Sequence, residues 1–371
     1  MTMLVLTCLA QVALLTVAAW TLPVLARPTL PFGVRVPAGR TADPAVTAQR
    51  RRYSRAVMTL GVLAALTSAP AVVLRGTPDV LTATAVLLGA ADVALYTAAH
   101  RAIRAAKRHG DWYAGTRQAV TADTTWRTHP VRPPWRLLIP SLALLAGTAA
   151  IGFARYGSLP DTLATLRGLG IDAQHRIATT PATAFAPVLS QTAITVLVPL
   201  LVAALIRARP ETDAEHPVTS ARRYRVYLHG IATLLLAGAA CADLTLLLLA
   251  LQQWDVLAPS PLTTAATWAP MAAIAAAFLV FGVRVGEAGH RLPSLSGESG
   301  SGYVQRDDDR HWHLAGTLYI NRHDPAILVH QRLGGRWTLN LGNPVAWTVL
   351  TVLASLALLQ LLGVIDLPPT S

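Results

Sequence analysis

The sequence predicts an all-α integral membrane protein of about eight transmembrane helices, with a small cytoplasmic β-like module just before the last helix. Three observations carry that reading. Hydrophobic residues fill 53% of the 371 positions and charged residues only 13%, with a mean hydropathy of +0.44, whereas soluble domains carry about 25% charged residues. Eight apolar runs are long enough to cross about 30 Å of hydrocarbon, which takes roughly 20 helical residues. The basic residues then fall almost wholly in alternate loops.

The runs cover about residues 3–26, 55–75, 78–100, 136–155, 183–206, 226–251, 264–286 and 344–364. The first has no positive residue ahead of it and no small-residue cleavage site, so it reads as a retained helix rather than a signal peptide. The second is the weakest, being interrupted by Pro70. Residues 1–286 thus read as a seven-span bundle. Its longer connections are a cytoplasmic loop at 27–55, a basic cytoplasmic loop at 101–135 and an extracytoplasmic loop at 156–182. In the basic loop, "HRAIRAAKRHGDWYAG" suits a helix that extends from its span and then lies along the interface. "PSLSGESGSG" belongs to a flexible linker over 287–306. The small module follows at 307–343, and the final span at 344–364.

Orientation follows from the accumulation of Lys and Arg in short cytoplasmic loops. Segments 27–55, 101–136, 207–225 and 284–343 hold 27 of the 31 basic residues, and the other side holds only Arg75, Arg155, Arg167 and Arg176. Both termini are therefore expected outside. The formal charge of +12 is explained by topology and by attraction to anionic inner-leaflet lipid. Lys107 is the only lysine, and no nucleic-acid recognition module accompanies the charge. Nucleic acid is not an expected partner; the lipid bilayer is. Cys8 and Cys241 lie in apolar runs, which leaves no disulfide framework and no cysteine-based metal site.

The module alternates like β structure. Leu314, Gly316, Leu318 and Ile320 share one face, with Thr317, Tyr319 and Asn321 on the other. "HDP" makes a turn, "AILVHQR" a second strand, "LGG" a tight turn and "RWTLNLG" a third strand with Trp337, Leu339 and Leu341 on one face. Three short strands cannot bury enough surface to stand alone. The module is expected to lean on the helices or the headgroups, where Trp312, Tyr319, Trp337 and Trp347 suit the boundary.

Two carboxylates fall inside spans, Asp92 and Asp243, where an ionisable group is expensive and functional by default. At about 1.5 Å per residue they lie about 12 Å and 27 Å from the inner ends of their spans, so they are not expected to pair. His311 and His313 could share a strand face. With His323 or His330 and one of Asp307, Asp308 or Asp309 they would make a zinc donor set. The spacing matches no zinc motif, and solvated or interface-facing histidines are the plainer expectation. No nucleophile elbow, HExxH helix, Walker loop or dinucleotide fingerprint is present, and no cofactor is expected.

The stretch "HWHLAGTLYINRHDPAILVHQRLGGRWTLNLGNPVAW" resembles a short domain of unknown function found in bacterial multi-pass membrane proteins. The matching positions are Trp312, Gly316, Tyr319, Asn321, Asp324, Pro325, Val329, Arg332, Gly334, Trp337, Thr338, Asn340 and Pro344. "PFGVRVPAGRTADPAVTAQRRRYSR" (31–55) is similar to the first cytoplasmic loop of the same proteins. "YGSLPDTLATLRGLGIDAQHRI" (156–177) resembles an extracytoplasmic Leu-Pro-Asp loop of immunity membrane proteins that protect sporulating bacilli from their own killing peptide. In that loop Leu-Pro-Asp is followed by Pro-x-His; here Ala164 and Leu166 take those places, so any role of the histidine is not carried over.

The resemblance implies a non-enzymatic protein of the bacterial plasma membrane, active in envelope sensing or immunity, with a peptide ligand or a regulatory protein partner. Its candidate ligand or signalling residues are Tyr319, Asn321, Asp324, Arg332, Trp337, Asn340, Pro160 and Asp161. Turn and strand-end hydrogen bonding is the structural alternative for Tyr319, Asn321, Asp324 and Asn340. A competing expectation is a proton- or cation-coupled transporter using Asp92 or Asp243. A metal-dependent enzyme would have to rest on the histidines.

Overall fold

The computed structural model describes residues 2–75, 79–120, 130–167, 170–210, 212–333 and 336–361. The chain is mostly helical. Among the described residues seven helices are long and apolar enough to cross a membrane. These are α1 (Thr2–Leu25), α2 (Pro44–Arg75), α3 (Asp79–His109), α4 (Leu138–Arg155), α5 (Ala186–Arg207), α6 (Pro217–Gln253) and α7 (Pro261–Val285). A further apolar helix, α8 (Pro344–Leu361), is shorter; residues 362–364 of the expected last span lie outside the described residues.

Several helices reach beyond their apolar runs. α2 begins at Pro44, because Asp43 accepts from the Ala45 N–H at 3.0 Å and proline is pre-set for the first helical position. Arg50, Arg51, Arg52 and Arg55, expected in a loop, are therefore helical. The same helix runs through Pro70 without ending. α3 continues past residue 100 to His109, as the basic sequence there predicts. α6 starts at Pro217, where Glu298 accepts from the Val218 and Thr219 N–H groups at 3.0 and 2.9 Å, a carboxylate at the positive end of the helix.

The chain divides into two compact units. One comprises Met1–Asp123, Arg209–Tyr224 and Val285–Ala346; the other comprises Thr124–Ala208, Arg225–Arg284 and Trp347–Ser371.

In the first unit α1, α2 and α3 pack on one another. The segment after α1 is unusual for a loop, since Leu30 to Pro37 are all buried. Phe32 (φ 49°) and Gly33 (φ 75°) both take left-handed backbone, and Val34 N–H donates to Pro31 O at 3.1 Å, which makes a type I′ turn. A left-handed Phe costs about 1–2 kcal/mol. Burying its ring returns about 1.5–3 kcal/mol, and each aromatic pair adds about 0.5–1.5. The ring meets Tyr53 at 5.1 Å and Tyr96 at 5.6 Å, edge-on in both cases. Burial wins. His100 Nδ1–H donates to Phe32 O at 2.8 Å, and Tyr53 OH to Ala19 O at 3.1 Å. The turn is thus tied to α2 and α3, and Tyr53 in turn joins α2 to α1.

The strands of this unit are short: β1 (Gln118–Ala119), β4 (Val304–Gln305), β5 (Trp312–His313), β6 (Leu318–Tyr319), β7 (Leu328–His330) and β8 (Trp337–Leu339). β1 pairs parallel with β4, β5 antiparallel with β6, and β7 antiparallel with β8; a Tyr319–Asn340 bridge joins the last two pairs. The expected first strand of the module is broken by a left-handed turn at Leu314, Ala315 and Gly316. Leu314 is 75% exposed and Tyr319, on the opposite face by simple alternation, is 2% exposed. The "LGG" turn is only partly visible, because residues 334 and 335 lie outside the described residues. Within residues 287–306, expected as a flexible linker, Glu287 and Ala288 are buried, Glu298 caps α6, and β4 pairs with β1.

In the second unit α4 packs against α5. β2 (Thr162–Arg167) and β3 (Gly170–Ala178) form an antiparallel hairpin whose register shifts between Ala164 and Thr165. Val202, Ala232 and Leu236 make an apolar cluster between α5 and α6. Trp254 Nε1–H donates to Ala184 O at 3.0 Å.

Candidate functional site

The charged residues of the first unit converge where the turn after α1 meets the module. Gly33 lies so close to the turn at 314–316 that a Cβ there would stand 2.5 Å from Ala315 O. This contact sets Arg35, two residues on, beside the run Asp307–Asp308–Asp309. Arg35 Nε donates to Asp308 Oδ1 at 2.8 Å, and its backbone N–H to Asp309 Oδ1 at 3.0 Å. Lys107, in the last turn of α3, donates to Asp309 Oδ2 at 2.6 Å and pairs with Asp307 Oδ1 at 2.8 Å. Arg332 is 1% exposed. It binds Asp308 through one guanidinium nitrogen and Asp309 through another, and also donates to Gly33 O at 3.0 Å. Its guanidinium lies 4.9 Å from the Trp312 ring, whose own Nε1–H donates to Asp308 Oδ2 at 3.2 Å.

Three cations thus meet three carboxylates, and the charges balance. Burial alone would raise the Asp308 carboxyl; the Arg35 and Arg332 guanidiniums overcome it and hold the group far below the usual carboxylate range. Asp309 follows the same pattern, burial opposed by Arg332 and Lys107, and is also lowered. Losing one partner of such a buried group costs about 3–5 kcal/mol, because the other charge is left uncompensated. The network therefore acts as a clamp between the loop after α1, the end of α3 and the module.

Two further polar clusters complete this face. Arg27 Nε donates to Glu287 Oε1 at 3.3 Å, and His330 Nδ1 stands 3.3 Å from the same oxygen; the His330 ring lies 5.0 Å from that of Trp337. In the other cluster Asp324 pairs with Arg209 and accepts from Tyr319 OH at 2.9 Å, while Asn321 Nδ2–H donates to that hydroxyl oxygen at 3.1 Å. Burial pushes the Tyr319 phenol above its ordinary value. Asn340 is fully buried. Its Oδ1 accepts from Asn321 and Gly342 N–H at 2.9 and 3.0 Å, and its Nδ2 donates to the carbonyls of Asn321, Asp324 and Ala326 at 2.9, 3.0 and 3.1 Å. A cavity of about 370 Å³ opens nearby, bordered by Arg27, Arg35, Asp213, His216, Arg223 and His290.

The structure thus brings Tyr319, Asn321, Asp324 and Asn340 into one cluster, with Arg332 in the clamp and Trp337 against His330. Pro160 and Asp161 sit apart in the second unit at the foot of the hairpin. Thr179 closes it there, donating from Oγ1 to Pro160 O at 2.5 Å and from N to Asp161 O at 2.9 Å. His311 and His313 do not share a strand, since His311 ends a helical turn over Asp309–His311 and only Trp312 and His313 are extended. His311 Nε2 accepts from Arg310 Nε at 3.1 Å, and His313 is exposed. Among the described residues no three His, Cys, Asp or Glu side chains gather as for a metal ion. The matched position Gly334 lies outside the described residues.

Of the two intramembrane carboxylates, Asp92 is half-buried on α3, and Asp243 is fully buried on α6 with Thr195 donating to it at 3.3 Å. Sequence reasoning missed the clamp residues Arg35 and Lys107 as site residues, because both were absorbed into the topology argument. The signal was available in Lys107, the one lysine in a chain whose other basic residues are arginines. Gln191 and Thr195 were missed as well; their spacing of four puts them on one helix face. No family model, curated protein or solved structure matches this chain.

Proposed function

We propose that the chain is a non-enzymatic membrane protein of the bacterial envelope, acting in sensing or in immunity to a peptide or membrane stress. In this reading it crosses the plasma membrane eight times with both termini outside. The hairpin that follows Leu159, Pro160 and Asp161 then faces the envelope, and the 307–343 module faces the cytoplasm. The observation that supports it most is the clamp. Arg332 ties the module to the loop after α1, and Lys107 ties it to α3, so displacement of those helix ends is passed to the module without a chemical step. The resemblance of the 156–177 loop to that of immunity membrane proteins points the same way. Deleting the gene and challenging cells with envelope-active peptides tests the reading. Sensitivity should rise for at least one peptide, and Arg332→Met should reproduce the loss; unchanged sensitivity across a broad panel would remove it.

A second reading, a proton- or cation-coupled small-molecule transporter, is favoured by one observation: Asp243 is fully buried within an apolar helix. Reconstituted protein should then show a flux that Asp92→Asn or Asp243→Asn abolishes. Flux indifferent to both substitutions would end it.

A further inference from the structure

Asp243 sits among polar side chains contributed by two other helices of its unit. Thr195 of α5 donates to its Oδ2 at 3.3 Å. Gln191, one turn earlier on α5, donates from Nε2 to the Asp243 main-chain carbonyl at 2.8 Å and to Thr148 Oγ1 of α4 at 3.0 Å. Ser141, two turns before Thr148, lies within hydrogen-bonding reach of the Asp243 carboxyl. Asp243, Gln191, Ser141 and Thr148 are each 0% exposed.

The amide orientation of Gln191 can be derived. Thr148 gives its one hydroxyl hydrogen to Leu144 O at 2.8 Å, so its oxygen must accept, and the end of Gln191 that meets it must be the NH₂. Both amide hydrogens are then used, and Oε1 is left without a donor. Asp243 Oδ1 and Ser141 Oγ are likewise buried and, apart from each other, meet no further hydrogen-bond partner. The polar atoms left over around Asp243 are all oxygens: a carboxylate, an amide carbonyl and a hydroxyl, with Thr195 Oγ1 on the second carboxylate oxygen. A carboxylate removed from water with no counter-charge costs several kcal/mol, and intramembrane carboxylates persist where something offsets that cost.

We propose that Asp243 Oδ1, Gln191 Oε1 and Ser141 Oγ, with Thr195, bind one small monovalent cation of the sodium class. Hard oxygen donors select a hard cation, and soft or borderline transition metals prefer nitrogen and sulfur. The single carboxylate balances a single charge, whereas a divalent ion would leave one positive charge uncompensated in a low-dielectric site. A proton on Oδ1, donated to one neighbouring oxygen, would also neutralise the group; it predicts no difference between sodium and choline. The inference does not depend on transport: an ion held in place satisfies it as well as one that crosses.

The test uses the purified full-length chain in detergent, unfolded by heat in sodium, potassium or choline chloride at equal ionic strength. Sodium should raise the apparent Tm over choline in a saturable way, as ligand linkage requires, and radiolabelled sodium should be retained on the protein. Asp243→Asn should abolish both effects. Ser141→Ala, a smaller change, should weaken sodium binding several-fold and serves if Asp243→Asn does not fold. Equal Tm in sodium and choline with no retained sodium overturns the proposal. A chain that binds sodium but carries no flux keeps this inference and loses the transport reading.

Discussion

Lys107 Nζ lies 2.6 Å from Asp309 Oδ2, and the same ammonium reaches Asp307 Oδ1 at 2.8 Å. It also sits 4.8 Å from the Tyr113 ring centroid. A compact ammonium with three rotatable donors can serve two carboxylates and a ring face at once; a planar guanidinium fork cannot adopt the same set of directions. That gives a physical reason for the only lysine to stand here. Lys107→Met should destabilise the protein by about 3–5 kcal/mol, the cost of stranding a buried partner, and Lys107→Arg should fall between it and the wild type. Apparent Tm in detergent orders the three, and a Lys107→Met protein as stable as the wild type would show that the clamp carries no load.

Acid should open the same clamp. Asp308 and Asp309 titrate below their ordinary range in the folded chain because cations outweigh the effect of burial. A carboxylate with a depressed folded pKa contributes stability that is fully present above its unfolded value, about 3.9, and lost as pH falls from there towards the folded value. Apparent Tm should therefore be flat near neutrality and drop below about pH 4. In Arg332→Met the two carboxylates are held down less strongly, so the fall across that window should be shallower, from a lower starting Tm. Parallel pH profiles for the two proteins would contradict the assignment.

Gly33 is the backbone counterpart of the clamp. Its φ of 75° and the 2.5 Å approach of Ala315 O to its missing Cβ exclude any other residue without movement of one turn or the other. Gly33→Ala should cost about 1–2 kcal/mol for the left-handed backbone alone, plus the displacement of the 314–316 turn from the loop after α1. Limited proteolysis separates the two contributions, because displacement should expose the segment around Arg310 and Arg322 to trypsin. Wild-type cleavage rates in Gly33→Ala would rule out the close approach.

The helices were legible because burial in lipid imposes long apolar runs, and those runs survive without any knowledge of tertiary contacts. Helix starts were less so: Pro44 and Pro217 lie outside their apolar runs and are set by caps, one of them supplied from Glu298 far along the chain. The module was read as alternating strands. Its left-handed turn at Leu314–Gly316 is not an alternation signal, and it breaks the strand that alternation predicts. The clamp was illegible for a related reason. Arg35, Lys107, Asp308 and Arg332 are far apart in sequence, and their charges served a topology argument equally well whether or not they met. Composition counted those charges; only the fold pairs them.

Asn340 offers the sharpest separation between a structural and a ligand-binding role for the module. Its amide accepts two backbone N–H groups and donates to three backbone carbonyls, all belonging to residues 321–326 and 342. Asn340→Ala removes these bonds and strands buried peptide groups, each worth about 1–3 kcal/mol when left unsatisfied. Asn340→Asp keeps the shape but turns a donor into an acceptor and brings negative charge against the carbonyls of Asn321, Asp324 and Ala326. It should therefore be the more damaging of the two near neutral pH, even though it is the closer isostere. Tyr319→Phe, which loses only its bonds to Asp324 and Asn321, should cost about 1 kcal/mol. The order Tyr319→Phe, Asn340→Ala, Asn340→Asp in falling apparent Tm marks a structural cluster. An Asn340→Ala protein with wild-type stability that fails to protect cells would instead assign the amide to a ligand.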